Sequence, residues 1–158
     1  MDEYLNRPFF KNINIINLIY DVNEYSYSDI VWGKKDKVNI LRKEFVEKNK
    51  NNIELKINGK NVKLLYNYKL EFGENKIQII IKNKINNLEG MFYECNSLKN
   101  IDGLKYLDIK EINNFSYMFY GCSSLSDLKP LENWNVSNGN NFSNMFNGCF
   151  SISDLKPL

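Results

Sequence analysis

Hydrophobic positions along this chain follow two different periods, and the change from one to the other divides it. From residue 12 to residue 21 apolar side chains alternate at a spacing of two. Ile13, Ile15 and Ile19 oppose Ile16, Leu18 and Tyr20, which predicts a strand apolar on both faces and therefore central in a sheet. Residues 22–35, rich in Asn, Ser and Asp, read as a connection holding a short strand at Ile30-Val31-Trp32. From Asp36 the spacing of Val38, Leu41 and Phe45 predicts a helix with Asp36 or Asn39 near its start and Glu44 and Lys48 as a favourable i, i+4 pair. Two alternating runs then flank Asn58-Gly59, the dipeptide whose two positive-φ residues suit a type I′ turn. A two-residue loop pairs 57 with 60, 55 with 62 and 53 with 64, placing Ile53, Leu55, Val62 and Leu64 on one face. A second ribbon is expected from Tyr66–Phe72 through Gly73-Glu-Asn75 into Lys76–Lys82. Ahead of all this, residues 1–11 read as an arm broken at Arg7-Pro8.

After residue 85 the pattern becomes a long repeat. Met91, Met118 and Met145 stand 27 residues apart, as do Phe92, Phe119 and Phe146, and Cys95, Cys122 and Cys149. Further rows keep the interval: Leu104, Leu131 and Leu158; Leu107 and Trp134; Ile109 and Val136; Ile101, Leu128 and Leu155. Each copy offers about eight apolar positions that it cannot cover alone. Stacked copies cover them, at ~1.5–3 kcal/mol for each large side chain buried. Gly121 and Gly148 suit left-handed turns after the Met-Phe pair, and Pro130 and Pro157 hold Lys129 and Lys156 extended. Gly139, where Ile112 stands one copy earlier, predicts a looser last copy. Two parts are thus expected: a β-rich N-terminal domain over residues 1–85 and a repeat region over residues 86–158. No polar cap follows Pro157, so Phe146, Phe150 and Leu155 are expected to be exposed. A longer array, a second chain or another copy of the same chain would cover them.

Composition narrows the chemistry. The 158 residues, 43% hydrophobic and 25% charged, suit one folded unit or two small ones. Residues 1–85 carry 16 basic against 11 acidic side chains and residues 86–158 carry 5 against 8, a split of +5 and −3. The lysines form no basic stripe, so nucleic acid is not an expected partner. There is no histidine, which removes the commonest general base and the commonest metal ligand. The three cysteines, one per copy, read as small fillers of one repeated slot. No apolar run approaches the ~20 residues of a spanning helix, and the first residues lack a signal-peptide core. The chain is therefore expected to be intracellular, cytoplasmic, and without a membrane partner. Asn-x-Ser sequons at Asn114 and Asn141 adjoin Phe115 and Phe142, which the repeat points inward, and this agrees with an absence of secretion.

Surface rows between the apolar positions supply the candidate partner-binding residues. They are Lys99, Ser126 and Ser153; Asn100, Asp127 and Asp154; and Asp102, Lys129 and Lys156, with Trp134 as an aromatic contact. An acidic row beside a basic row can present matched charges to a protein partner. The competing reading has Asp127 and Asp154 holding backbone amides in turns while the lysines are solvated. No catalytic, metal or cofactor residues are identified, and no cofactor is expected.

The motif Phe-Ser-x-Met-Phe-x-Gly-Cys-x-Ser-Leu-Ser-Asp-Leu-Lys-Pro-Leu-x-x-Trp-Asn-Val-Ser, with its three copies across about residues 86–158, resembles the short leucine-rich-type repeats of the BspA-like surface proteins. These repeats are found also in mycoplasma lipoproteins and protist protein families. The preceding segment, through Lys43-Glu-Phe-Val-Glu-Lys-Asn-Lys and the hairpin, resembles the β-rich leader of some protist members. The resemblance implies an α+β fold: a small β-rich domain capping a short right-handed leucine-rich-repeat-like solenoid with a 27-residue period. It also implies a non-catalytic protein–protein interaction module or scaffold. The alternative is a surface adhesin fragment that binds a host protein or glycan and takes its export signal from a longer chain.

Overall fold

In a computed structural model, which describes residues 14–23 and 37–156, the described residues form seven strands and one α-helix. These are β1 (Asn14–Val22), β2 (Val38–Asn39), α1 (Lys43–Asn49), β3 (Ile53–Ile57), β4 (Lys60–Val62), β5 (Asn67–Tyr68), β6 (Gly73–Ile81) and β7 (Leu98–Asn100). Five strands make one antiparallel sheet in the order β4-β3-β6-β1-β7. The predicted arm over residues 1–11, the short strand at residues 30–32, Asp36, Pro157 and Leu158 lie outside the described residues.

Strand β1 is interior, as its pattern predicts, but only one of its faces is buried. Ile16, Leu18, Tyr20 and Val22 are buried, while Ile15 is 40% exposed. Nine residue pairs join β1 to β6, from Asn14↔Ile81 to Val22↔Gly73, so Ile77 and Ile79 of β6 continue the same buried face. Strand β3 extends it with Ile53 and Leu55. The opposite face is polar where the strands meet, and Gln78 Nε2 donates to Asn17 Oδ1 at 2.9 Å.

The Asn58-Gly59 hairpin forms with the predicted pairs, Ile57↔Lys60 and Leu55↔Val62. Its ladder stops at Val62, so the predicted pair of Ile53 with residue 64 does not form, while the other edge of β3 pairs Ile53 with Ile81. Asn75 is buried yet fully bonded. Its amide donates to the carbonyls of Glu71 and Gly73, and its oxygen accepts from Glu71 N and Asn58 Nδ2.

Two local expectations give way to tertiary pairing. The helix begins at Lys43, because Val38 and Asn39 pair with Tyr68 and Asn67, and the N–H groups of Ile40 and Leu41 donate to Tyr66 O. The second ribbon does not form, since both edges of β6 are taken by β1 and β3. A seven-residue strand segment at 66–72 therefore shortens to β5 and turns to β2.

The expected α+β architecture with a right-handed leucine-rich-repeat-like solenoid is overturned. The described chain is mostly antiparallel sheet with one seven-residue helix. Beyond β7 there are no strands among the described residues, only single parallel bridges from Asn87 to Asn114 and from Asn114 to Asn141. The cause is backbone handedness. Gly90, Tyr117 and Asn144 are left-handed, with φ of 59°, 57° and 55°, and so are Glu94, Gly121 and Gly148 four residues later in each copy. Left-handed residues interrupt extension, so each copy folds as tight turns in which alternate N–H groups bond three residues back. Met118 N donates to Phe115 O, Tyr120 N to Tyr117 O and Cys122 N to Phe119 O.

The intervening N–H groups point the other way, toward the next copy. Leu88, Gly90, Phe92 and Glu94 donate to the carbonyls of Asn114, Ser116, Met118 and Tyr120 at 2.7–3.0 Å. Phe115, Tyr117, Phe119 and Gly121 repeat this toward Asn141, Ser143, Met145 and Asn147. Phenyl rings stack along the same direction: Phe92 on Phe119 at 5.6 Å, Phe119 on Phe146 at 5.5 Å, and Phe115 on Phe142 at 5.1 Å. One buried cluster runs from Ile16 of the sheet to Cys149 of the third copy.

Candidate binding surface

The sheet covers one side of the stacked copies, and the third copy carries the other. At the first copy, Arg42 N donates to Met91 O at 3.0 Å, the slot that Phe92 N fills at Met118 O one copy later. The Arg42 guanidinium also lies 4.9 Å from the centre of the Tyr93 ring. Strand β7 and the 3-10 turn Asp102–Tyr106 pack the first copy against β1, and Gly103 lies so close to Asn17 that a Cβ would overlap its backbone.

At the third copy nothing described takes the equivalent place. Phe115, Met118 and Cys122 are fully buried, whereas Phe142 is 41% exposed. Of the large apolar side chains exposed among the described residues, half fall at residues 136–155: Val136, Phe142, Phe150 and Leu155. A concavity of about 450 Å³ opens there, with Leu131, Trp134, Val136, Phe142 and Phe146 among its lining and Glu132, Asn144 and Asn147 as polar members. The Phe142 ring leans over Gly139, where any Cβ would strike it. That contact explains the glycine at a position occupied by Ile112 one copy earlier.

The cysteines act as donors in this stack. Cys122 Sγ donates to Phe92 O at 3.1 Å and Cys149 Sγ to Phe119 O at 2.9 Å. Burial pushes the thiols of Cys95 and Cys122 well above the ordinary range and that of Cys149 up to about 11. They are protonated at neutral pH and are poor nucleophiles.

The ten sequence-selected residues do not converge. Lys99 donates to Asp21 at 2.8 Å and Glu74 at 3.2 Å, which raises its ammonium pKa, the Asp21 bond contributing most. Asn100 and Asp102 bond each other. Asp127 accepts the backbone N–H of Lys129 at 2.8 Å, and Asp154 that of Lys156 at 2.9 Å, the same turn in successive copies. Ser126, Ser153 and the Lys129 ammonium are exposed. Trp134 alone of the ten lines the concavity, its indole N–H fixed on Leu104 O at 3.0 Å.

Sequence reasoning passed over a lateral aromatic row. Tyr93 and Tyr120, 27 residues apart, stack at 4.8 Å, with Tyr117 beside both. Their shared repeat position was the signal available for finding them. Among the described residues no group of three or more His, Cys, Asp or Glu side chains is placed to hold a metal ion, and no helix is long and apolar enough to cross a membrane.

The profile of the protein family described as "Mycoplasma protein of unknown function, DUF285" matches residues 60–156. No curated protein and no solved structure matches the chain.

Proposed function

Taking as premise that this chain belongs to the Mycoplasma DUF285 family, we propose that it is a non-catalytic interaction module that binds a protein partner on the exposed face of its third copy. The observation that carries this reading is an apolar concavity lined by Trp134, Val136, Phe142 and Phe146 and bordered by the amides of Asn144 and Asn147, in the copy that also exposes Phe150 and Leu155. Aromatic anchors around an apolar centre with a polar rim are the usual composition of a protein-binding hot spot. The protonated, hydrogen-bonded thiols support the non-catalytic part, since they remove the strongest nucleophiles of a chain that has no histidine. Retention of a discrete protein from a lysate of the source cell by the parent, and its loss with Val136→Asp or Phe150→Ser, is the expected result. Equal retention by parent and variants would place the contact elsewhere, and turnover in a broad substrate screen would end the non-catalytic reading.

A surface role of the kind found in BspA-like proteins is a second reading, favoured by the family match and the shared Met-Phe-x-x-Cys motif. On that reading the stacked Tyr93 and Tyr120 rings beside Arg42 offer a platform for a host protein or a sugar ring. Binding to a glycan panel that is lost with Tyr120→Ala would favour it over the third-copy face.

A further inference from the structure

Apart from the third-copy face, we infer that the concavity between α1 and the first copy is a second binding site, and that it takes an extended polypeptide segment. The segment donates backbone N–H groups to Asn87 O and Glu89 O and reaches Lys48 with an acidic side chain. Peptide geometry supplies the acceptors. Leu88 N, Gly90 N and Phe92 N point to the second copy and donate to Asn114 O, Ser116 O and Met118 O. A trans peptide turns its C=O opposite to its N–H, so the carbonyls of Asn87, Glu89 and Met91 point away from the second copy. Met91 O accepts Arg42 N at 3.0 Å, while Asn87 O and Glu89 O accept nothing among the described residues.

The gap lies inside the chain and has its cause in the fold. Donors in the ladder between copies stand two residues apart, so the slots ahead of Arg42 would fall to Ile40 and Val38. Neither is available, because Ile40 N donates to Tyr66 O and Val38 pairs with Tyr68. The chain ahead of Arg42 has turned to β5, and a concavity of about 370 Å³ is left between α1 and residues 84–89. That volume suits a small ligand or a few residues of extended chain. Phe45 and Ile85 supply its apolar part, and the half-buried Asn87 and Glu89 border it.

Charge narrows the occupant. Arg42 Nε bonds Glu44 at 3.0 Å and Lys84 Nζ bonds Glu111 at 2.7 Å. Glu89 holds its carboxylate 3.5 Å from Asn114 Nδ2 of the second copy. Lys48, exposed in the last turn of α1, has no ion pair among the described residues. The concavity therefore keeps one unmatched positive charge beside two unmatched acceptors. A simple anion would answer Lys48 and leave the carbonyls, and a metal ion would meet Arg42, Lys48 and Lys84 together. An extended segment answers both, since its alternate N–H groups share one edge at the two-residue spacing of Asn87 and Glu89, and an acidic side chain complements the ammonium.

The test uses the full chain, labelled with ¹³C and ¹⁵N, and a short acetylated and amidated peptide of alternating Thr and Glu at roughly 1 mM. The carbonyl ¹³C resonances of Asn87 and Glu89 should move downfield as peptide is added, while those of Asn114 and Ser116, already bonded, stay in place. Methylating the peptide's amide nitrogens removes the donors, keeps the charge and should abolish the shifts. Lys48→Glu should weaken binding by about tenfold or more with little change in Tm. Binding that survives N-methylation would overturn the carbonyl pairing, and equal binding of a Thr and Lys counterpart would overturn the acidic contact. No shift at Asn87 and Glu89 would overturn the site. Peptide binding lost in Val136→Asp with those two carbonyls unmoved would assign the peptide to the third-copy face, overturning this inference and leaving the proposed function in place.

Discussion

Gly103→Ala is the sharpest perturbation of how the repeat region is seated. Gly103 is buried in the 3-10 turn Asp102–Tyr106, where a Cβ would overlap Asn17 N and stand 2.5 Å from Asn17 O and 3.0 Å from Asn17 C. Ordinary contact begins near 3.4 Å, so turn and strand must separate by roughly 1 Å. Neither is free to do so. Asn17 sits at the middle of β1, paired with Gln78, and Leu104 beside the glycine is fully buried. Overpacking a core costs about 1–3 kcal/mol, and a clash with backbone instead of a flexible side chain falls at the upper end. A loss of ~3 kcal/mol lowers Tm by roughly 6–12 °C in a chain of this size. Gly59→Ala serves as the comparison, since its Cβ would meet nothing within 4 Å and only its φ of +81° resists, at about 1–2 kcal/mol. Thermal and urea unfolding of both variants check the ordering. A Gly103→Ala protein as stable as Gly59→Ala would refute close approach of the turn to β1 as what seats the first copy.

Phe119→Ala, which removes a fully buried ring stacked on both sides, should cost about 3–5 kcal/mol in urea unfolding. Trp134→Phe, which deletes the indole donor to Leu104 O, should cost about 1 kcal/mol in the same assay. Burial raises the folded-state thiol pKa values, so the unfolded chain ionises first. Stability is then fully present below the ordinary thiol value of ~8.5 and declines as pH climbs through about 11 for Cys149. Tm measured across that range should fall less steeply in Cys149→Ala. Lys129→Glu with Lys156→Glu should leave stability within ~0.5 kcal/mol of the parent, because the Lys129 ammonium has no described partner and that of Lys156 only an exposed one 3.8 Å away.

Features set by neighbours in sequence were legible from sequence. Asn58-Gly59 has few ways to turn, so the hairpin register followed from two residues. The 27-residue interval required Met91, Met118, Phe92 and Phe119 to share one buried row, since an isolated copy leaves them in water. The same reasoning left Phe146, Phe150 and Leu155 uncovered; Phe150 and Leu155 are 88% and 57% exposed, whereas Phe146 is half-buried, stacked on Phe119. Features that depend on competition between distant segments were not legible. Residues 66–72 carried an acceptable strand pattern, yet β6 had two better partners, and Val38 and Asn39 were drawn from a helical spacing into a ladder with residues 67–68. The handedness of Tyr117, Glu94 and Asn144 was equally hidden, because left-handed backbone at these residue types is selected by the four bonds that join neighbouring copies. That selection exchanged the expected solenoid for stacked turns and gave them opposite edges of N–H and C=O. Sequence thus determined what must be buried and at what interval. Tertiary structure decided which backbone groups remained unpaired, since hydrogen-bond direction is a property of assembled chains and leaves no trace in a pattern of apolar positions.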